Sequence, residues 1–124
     1  MVSHSYLLAK ATYDFISEMK SGNFGLEIVA GLDGGERLGT SVKEIHDAMI
    51  KLTQFSELVV IYDLGSSKLN SHEAFNLLDK EQQKKVQFIS CAFVEGALTA
   101  VVSNSGKSAE DLKNLVESQA KIEK

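Results

Sequence analysis

The chain has 124 residues, with 13 Lys and Arg against 17 Asp and Glu, so its formal net charge is −4. This length predicts a single domain, and 44% hydrophobic with 24% charged residues is typical of a globular protein rather than a disordered one. No apolar run approaches the ~18 residues of a membrane span, and a mildly acidic chain without basic stretches is a poor nucleic-acid binder. Cys91 is the single cysteine and has no internal disulfide partner, which favours a reducing cytoplasm.

The first half of the chain predicts two strand–helix units. Residues 1–3 form a strand stub, and apolar residues at a period of 3.6 over 8–19 predict the helix that follows. Residues 26–30 are predicted as a second strand, which runs into the glycine-rich stretch 31–39. Ser41 then opens a second helix, with a glutamate three residues later at the spacing of a capping box.

The second half repeats the alternation. The continuous apolar run 58–61 indicates a parallel strand buried on both faces, and a short helix is predicted around 74–78. A fourth strand over 86–91 precedes a buried helix over 94–102. A final amphipathic helix is capped at Ser108 and continues through Ile122.

Four strand–helix units predict a doubly wound, mostly parallel α/β sheet with helices on both faces, in one domain over 1–124. The first strand is truncated, because residues 1–3 fall short of the usual ~5–6. We therefore expect further apolar residues, from the natural chain or another subunit, to complete this edge. A chain extended upstream with an apolar strand should melt at a higher temperature than the one given.

Ligands of such sheets bind beyond the carboxyl ends of the strands, near the point where strand order reverses. His4 follows the first predicted strand and Asp63 follows the third, so a flavodoxin-like order places the two side by side. A carboxylate that accepts a hydrogen bond from one imidazole nitrogen fixes the tautomer and leaves the other nitrogen as a nucleophile.

The surrounding residues suit an incoming anion. The N–H groups that open the first helix favour phosphate, glycines allow close backbone approach, and hydroxyl groups supply further donors. No Walker A loop or dinucleotide fingerprint occurs. The candidate phosphate-binding residues are Ser5, Gly31, Gly39, Thr40, Ser41, Gly65 and Ser66.

Simpler interpretations of the same residues stay open. Asp63 also fits a turn-capping role, and Glu95 fits a first-turn helix charge as well as an active-site group. His46 is predicted to pack at the boundary of the core, and His72 to lie exposed in the first turn of a helix. The three histidines lack ligand spacing, so no metal site is predicted.

Four segments occur in the order of one protein family: Val2-Ser-His-Ser5, Ala30-Gly-Leu-Asp-Gly-Gly with Gly39-Thr-Ser41, Asp63-Leu-Gly-Ser66, and Val94-Glu-Gly-Ala97. With them the chain resembles the phosphotransfer subunits of phosphoenolpyruvate-dependent dihydroxyacetone kinases, relatives of the mannose-type enzyme IIA domains. The resemblance covers essentially all of the chain. Mannose-type sugar domains typically read Thr-His-Gly and Asp-Thr-Trp-Gly-Gly-Ser at the first and third segments, so the sequence here favours the dihydroxyacetone branch.

The resemblance implies that His4 accepts a phosphoryl group from the phosphocarrier HPr as a tele-phosphohistidine and that Asp63 orients it. The acceptor would be ADP in the nucleotide-binding subunit of the kinase, so Mg-ADP is expected on that partner and no cofactor on this chain. A homodimer is also implied. The alternatives are a mannose-type enzyme IIA domain serving a sugar transporter, a regulatory domain read by its phosphorylation state, and a small-ligand module without covalent chemistry.

Overall fold

The computed structural model describes residues 1–54 and 56–124. Within these ranges the chain forms four short strands, β1 (Val2–Ser3), β2 (Val29–Ala30), β3 (Leu58–Ile61) and β4 (Val86–Ile89). It also forms six α-helices, α1 (Tyr6–Ser17), α2 (Val42–Thr53), α3 (Gly65–Asn76), α4 (Lys80–Gln83), α5 (Phe93–Ser103) and α6 (Ala109–Ala120), with a 3₁₀ turn over Asp33–Gly35. None of these helices is both long enough and apolar enough to cross a membrane.

All strand pairings in the described sheet are parallel. β1 pairs with β2, and β3 pairs with β4 in the register Leu58 opposite Val86. A parallel bridge between Val2 and Tyr62 joins the two pairs, and the Asp63 N–H donates to the Val2 carbonyl at 3.1 Å. The spatial order is therefore β2-β1-β3-β4, which confirms that the first and third strands are neighbours.

The sheet buries both of its faces. Successive residues of β3 point to opposite sides, so Ile61 packs in one cluster, while Val60 and the following Tyr62 pack in the other. The first cluster takes its helical residues from α1, α5 and α6: Ile16, Phe93, Ala97, Ala100, Val101, Leu112 and Val116. The second takes them from α2 and α3: Ile45, Met49 and Ala74. Helices on both faces confirm the doubly wound α/β prediction.

Serine side chains set the helix starts that the sequence predicted. The Ser41 hydroxyl oxygen accepts the Glu44 N–H at 3.2 Å, and the Ser108 hydroxyl oxygen accepts the Asp111 N–H at 3.1 Å. A capping box with both of its hydrogen bonds is present at α4, between Asp79 and Gln82. These caps satisfy backbone donors that the first helical turn leaves unpaired.

Helix α3 differs most from the sequence prediction. The prediction of a short helix around 74–78 is wrong, because α3 begins at Gly65 and ends at Asn76. Its buried positions are Ser67, Ser71 and Ala74, so its core-facing side lacks the large apolar residues from which helices are recognised. Small side chains there bring α3 close to α2.

The extended α3 also relocates His72. His72 lies well inside the helix and not in its first turn, where the sequence predicted an exposed residue. Its ring stacks on that of Phe88, with the ring centroids 4.0 Å apart and the planes at 20°. Two further elements are shorter than predicted. β2 covers only the last two residues of the predicted 26–30 strand, and α6 ends at Ala120, before Ile122.

Cys91 is a packing residue beneath α5. It is fully buried, and a Cβ added to Gly96 would lie 2.1 Å from its Sγ, so only glycine fits where α5 crosses this thiol. Burial raises the pKa of the Cys91 thiol to about 11, which keeps it protonated and unreactive near neutral pH.

Candidate active site

His4 and Asp63 meet at the carboxyl edge of the sheet. His4 directly follows β1, and Asp63 follows β3 after Tyr62. Because β1 and β3 are adjacent, His4 Nδ1 lies 3.0 Å from Asp63 Oδ1. The side chains are 19% and 9% exposed. The neighbouring positions of the first and third strands, which the sequence predicted, thus place an imidazole in contact with a carboxylate.

The carboxylate of Asp63 is surrounded by hydrogen-bond donors. Oδ1 accepts the Leu64 N–H at 2.7 Å and the Ser67 hydroxyl at 2.7 Å, besides the contact with His4 Nδ1. Oδ2 accepts the Ser3 hydroxyl at 2.8 Å and the His4 N–H at 2.9 Å. Burial by itself raises the pKa of Asp63, but the hydrogen bonds outweigh it and lower the pKa to about 2. Asp63 is therefore ionised at neutral pH.

An ionised Asp63 selects one tautomer of His4. A carboxylate can only accept, so Nδ1 must carry the proton for the contact with Asp63 to be favourable. The Nε2 lone pair then lies on the exposed side of the ring. There the Ser66 hydroxyl donates a hydrogen bond to Nε2. In this tautomer Nε2 carries the lone pair and is the nucleophilic nitrogen of the ring.

The start of α3 lies beside this nitrogen. No described side chain caps the helix at Leu64, and Gly65 has open space where a Cβ would stand. An uncapped helix N-terminus presents N–H groups and a partial positive charge, both of which favour an anion. Of the seven predicted phosphate-binding residues, Gly65 and Ser66 belong to this helix start.

The glycine-rich stretch holds His4 through the backbone. The Gly31 N–H donates to the Ser3 carbonyl at 3.2 Å, and the Gly39 N–H donates to the His4 carbonyl at 2.9 Å. Gly39 has φ +138°, a conformation that other residues rarely adopt, and a Cβ there would lie 2.7 Å from Leu32. The two amides that the sequence assigned to phosphate are thus engaged with β1 and its end.

The remaining three predicted residues also hold elements in place. Ser5 accepts the Leu8 N–H and caps α1, and Ser41 caps α2. Thr40 Oγ1 accepts a hydrogen bond from Asn70 Nδ2 at 2.6 Å, which joins the glycine-rich stretch to α3. Their side chains position the backbone around His4.

Three polar contributors received no individual role from the sequence: Ser3, Ser67 and Asn70. Ser3 and Ser67 both donate to Asp63, and both are fully buried. Ser67 stands four residues after Asp63, a spacing that becomes informative only once α3 is known to start at Gly65. Asn70 was missed for the same reason.

The other candidates do not join the site. Glu95 is exposed in the first turn of α5, where its charge suits the helix dipole. His46 Nδ1 lies 3.6 Å from Asp47 on α2. In residues 1–54 and 56–124, no three His, Cys, Asp or Glu residues group closely enough to hold a metal ion.

Comparison with known proteins assigns the family. The family model of the PTS system fructose IIA component, EIIA-man, matches residues 1–116. The chain therefore belongs to the EIIA-man family. A crystal structure described as that of a protein of unknown function has the same fold, with a TM-score of 0.83 and 26% identity over 99% of this chain and 93% of that one.

Individual curated relatives are described more specifically than the family as a whole. The chain is 30% identical to the phosphotransferase subunit of the PTS-dependent dihydroxyacetone kinase of Lactococcus lactis, over 94% of this chain and 90% of that protein. It is 29% identical to the phosphoryl donor subunit of the PEP-dependent dihydroxyacetone kinase of Providencia stuartii, over 90% of this chain. The match spans only 24% of the Providencia protein, about a quarter of its length.

Proposed function

We propose that this chain is a phosphohistidine carrier, in which His4 Nε2 accepts a phosphoryl group from HPr and passes it to ADP held by the nucleotide-binding subunit of a dihydroxyacetone kinase. The observation that carries the proposal is the His4 ring, with Nδ1 against ionised Asp63 and Nε2 turned toward the uncapped start of α3. The dihydroxyacetone kinase subunits among the relatives support the choice of acceptor.

The transfer step needs no proton movement. The Nε2 lone pair attacks phosphorus, an N–P bond forms, and the bond from phosphorus to the donor's nitrogen breaks with its electron pair left on the donor. Nδ1 keeps its proton, so the phosphorylated ring is cationic. Asp63 supplies the compensating negative charge at Nδ1, in a position that is fixed before the reaction.

The start of α3 suits the transferred group. Phosphoryl oxygens on Nε2 would lie where the Ser66 hydroxyl now bonds the nitrogen, and that hydroxyl can turn to donate to them instead. The N–H groups at Gly65 and Ser66 add the partial positive charge of a helix N-terminus. A phosphoryl group carried in this way remains accessible, because Ser66 is exposed.

The surface around the site suits a protein partner. Exposed leucines stand on each segment that surrounds His4: Leu7 on α1, Leu38 beside Gly39, and Leu64 and Leu69 at the start of α3. Exposed apolar residues on segments that adjoin a reacting atom favour transient docking of another protein. We expect the partner contacts to be centred on Ser5, Gly39, Thr40, Ser66 and Lys68. Mg²⁺ and basic groups on the kinase subunit would neutralise the nucleotide phosphates as this acidic domain approaches.

The experiment follows the phosphoryl group from donor to acceptor. The protein is phosphorylated with phosphoenolpyruvate, enzyme I and HPr, isolated, and mixed with a kinase subunit loaded with ADP. We expect phosphohistidine to disappear as ATP forms, with dependence on both ADP and a divalent metal. Subunit without ADP is the matched control. If no phosphate is added in the first step, the phosphohistidine-carrier proposal is refuted, and a ligand-binding module without covalent chemistry remains as the alternative.

A second candidate acceptor follows from the family description, which names a fructose component of the sugar phosphotransferase system. A domain of this kind would discharge to a sugar transporter domain or have its phosphorylation state read by a regulator. Phosphohistidine that persists beside the ADP-loaded subunit but discharges to a transporter domain would establish this alternative.

The proposal also includes a cytoplasmic location and a homodimer. Light scattering of the purified chain tests whether it is a dimer.

A further inference from the structure

Three polar atoms form a closed triangle beneath the His4 ring. Ser67 Oγ lies 2.7 Å from Asp63 Oδ1 and 2.8 Å from His4 Nδ1, and these two atoms are 3.0 Å from each other. Ser67 is fully buried, so water does not substitute for its hydroxyl. Within the described residues, His4 Nδ1 and Ser67 Oγ have hydrogen-bond contacts only inside this triangle, whereas Asp63 Oδ1 also accepts the Leu64 N–H.

Only one placement of protons makes all three contacts of the triangle favourable. The Ser67 hydroxyl has one proton and lone pairs, whereas ionised Asp63 only accepts. When Nδ1 is protonated, it can donate to Asp63 Oδ1 and Ser67 Oγ, while the hydroxyl donates to Asp63. When the proton is on Nε2 instead, the Nδ1 lone pair faces the Asp63 Oδ1 atom at 3.0 Å, which is repulsive. The Ser67 hydroxyl, with its one proton, can then donate to Nδ1 or to Asp63 but not to both.

We infer that Ser67 is a positioning residue for His4, which holds the ring in the Nδ1–H tautomer and so keeps the Nε2 lone pair available for phosphoryl transfer. This inference rests on the proposed role of His4 as phosphoryl carrier. During transfer the N–P bond forms at Nε2 as the donor's N–P bond breaks, the donor nitrogen keeps the electron pair, and Ser67 neither gains nor loses a proton.

Consecutive serines thereby serve the two nitrogens of one ring. Ser66 is exposed and bonds Nε2, where the phosphoryl group would arrive, whereas Ser67 is buried and contacts Nδ1. Neighbouring residues on a helix point about 100° apart, which follows from ~3.6 residues per turn, so the first turn of α3 can reach both edges of the imidazole. A single hydroxyl at either position could not serve both.

The chain contains a matched control one turn further along α3. Ser71 is also fully buried and faces the same side of the helix, but its hydroxyl has no partner within the described residues. Ser67→Ala and Ser71→Ala therefore remove the same atom from two buried positions on the same helix. Only the first removes a contact with His4 and Asp63.

The test reads the tautomer directly, by ¹⁵N NMR of the His4 ring in unphosphorylated protein at about pH 8.5, where an ordinary imidazole is neutral. We expect Nδ1–H to predominate in the wild type and in Ser71→Ala. In Ser67→Ala the ratio of Nδ1–H to Nε2–H should fall roughly three- to tenfold, as expected for one lost hydrogen bond. The rate of phosphorylation by HPr should fall with it, without a change in KM for HPr.

Ser67→Cys provides a second variant of similar volume, whose thiol is a weak hydrogen-bond partner, in case the alanine variant folds poorly. A wild-type tautomer ratio in a folded Ser67→Ala or Ser67→Cys protein would overturn the inference. The NMR measurement needs no phosphoryl donor, so a shifted tautomer in a protein that HPr never phosphorylates would count against the proposed function while leaving the role of Ser67 intact.

Discussion

At the scale of single residues, the chemistry depends on how Asp63 is held. Its two oxygens take hydrogen bonds from both ends of the site: Ser3 and the His4 N–H on the β1 side, Ser67 and the Leu64 N–H on the α3 side. The carboxylate is thus fixed in position and charge before it meets the imidazole. Preorganised charge of this kind costs no reorganisation during the reaction.

Replacement of Asp63 by Asn tests this role. The amide removes the negative charge that would stabilise the cationic phosphorylated ring, and its NH₂ group can favour the wrong tautomer. We expect phosphorylation by HPr to slow by roughly 10- to 10³-fold, less than the ~10⁴ of the serine-protease Asp→Asn change, because the α3 start survives. Stopped-flow or quench kinetics with HPr measure this rate. Unchanged kinetics would show that Asp63 only caps a turn and does not orient His4.

The same carboxylate predicts an acid-sensitive part of the stability. The folded pKa of Asp63, about 2, lies below its ordinary value of 3.8, so the folded protein binds this proton less readily than the unfolded chain does. The resulting stabilisation, about 2 kcal/mol, is present above pH 4 and is lost as the pH falls toward 2.

Urea unfolding of wild type and Asp63→Asn between pH 5 and pH 2 measures this contribution. The wild-type free energy of unfolding should fall by about 2 kcal/mol more than that of the variant. Asp14→Asn, which alters an exposed carboxylate paired with Lys10, serves as the control and should follow the wild type. Parallel curves for wild type and Asp63→Asn would contradict the lowered pKa.

At the scale of elements, the sequence predicted strands and caps better than it predicted α3. The run Leu58–Ile61 is apolar on both faces, and Ser41 and Ser108 are helix caps whose bonds are local, so neighbouring residues suffice to recognise them. The start of α3 has the composition of a loop, and tertiary packing against α2 makes it helical. Because the sequence did not reveal that α3 begins at Gly65, it assigned no role to Ser67 or Asn70.

The glycine-rich stretch shows a similar limit. Its glycines were recognised as sites of close backbone approach, and Gly39 does adopt a conformation that favours glycine. Its N–H, however, bonds the His4 carbonyl rather than remaining free for a ligand. Composition indicates that a backbone approaches something closely, but which group it approaches depends on the order of strands in the folded sheet.

At the scale of the whole molecule, topology joins residues 59 positions apart into one site. The pairing of His4 with Asp63 was predictable because parallel strands end at one edge, and a flavodoxin-like order makes β1 and β3 neighbours. The same topology places both helix starts, α1 and α3, at that edge. A carrier needs this geometry, since its reactive atom must reach into the site of another protein.

The most direct test of the central claim is the location of the phosphoryl group after incubation with phosphoenolpyruvate, enzyme I and HPr. Intact mass and peptide mapping should find one phosphate, acid-labile and alkali-stable, on His4. His46→Gln and His72→Gln should be labelled as fully as the wild type, and His4→Gln should carry no label. Full labelling of the His4→Gln protein would contradict the account.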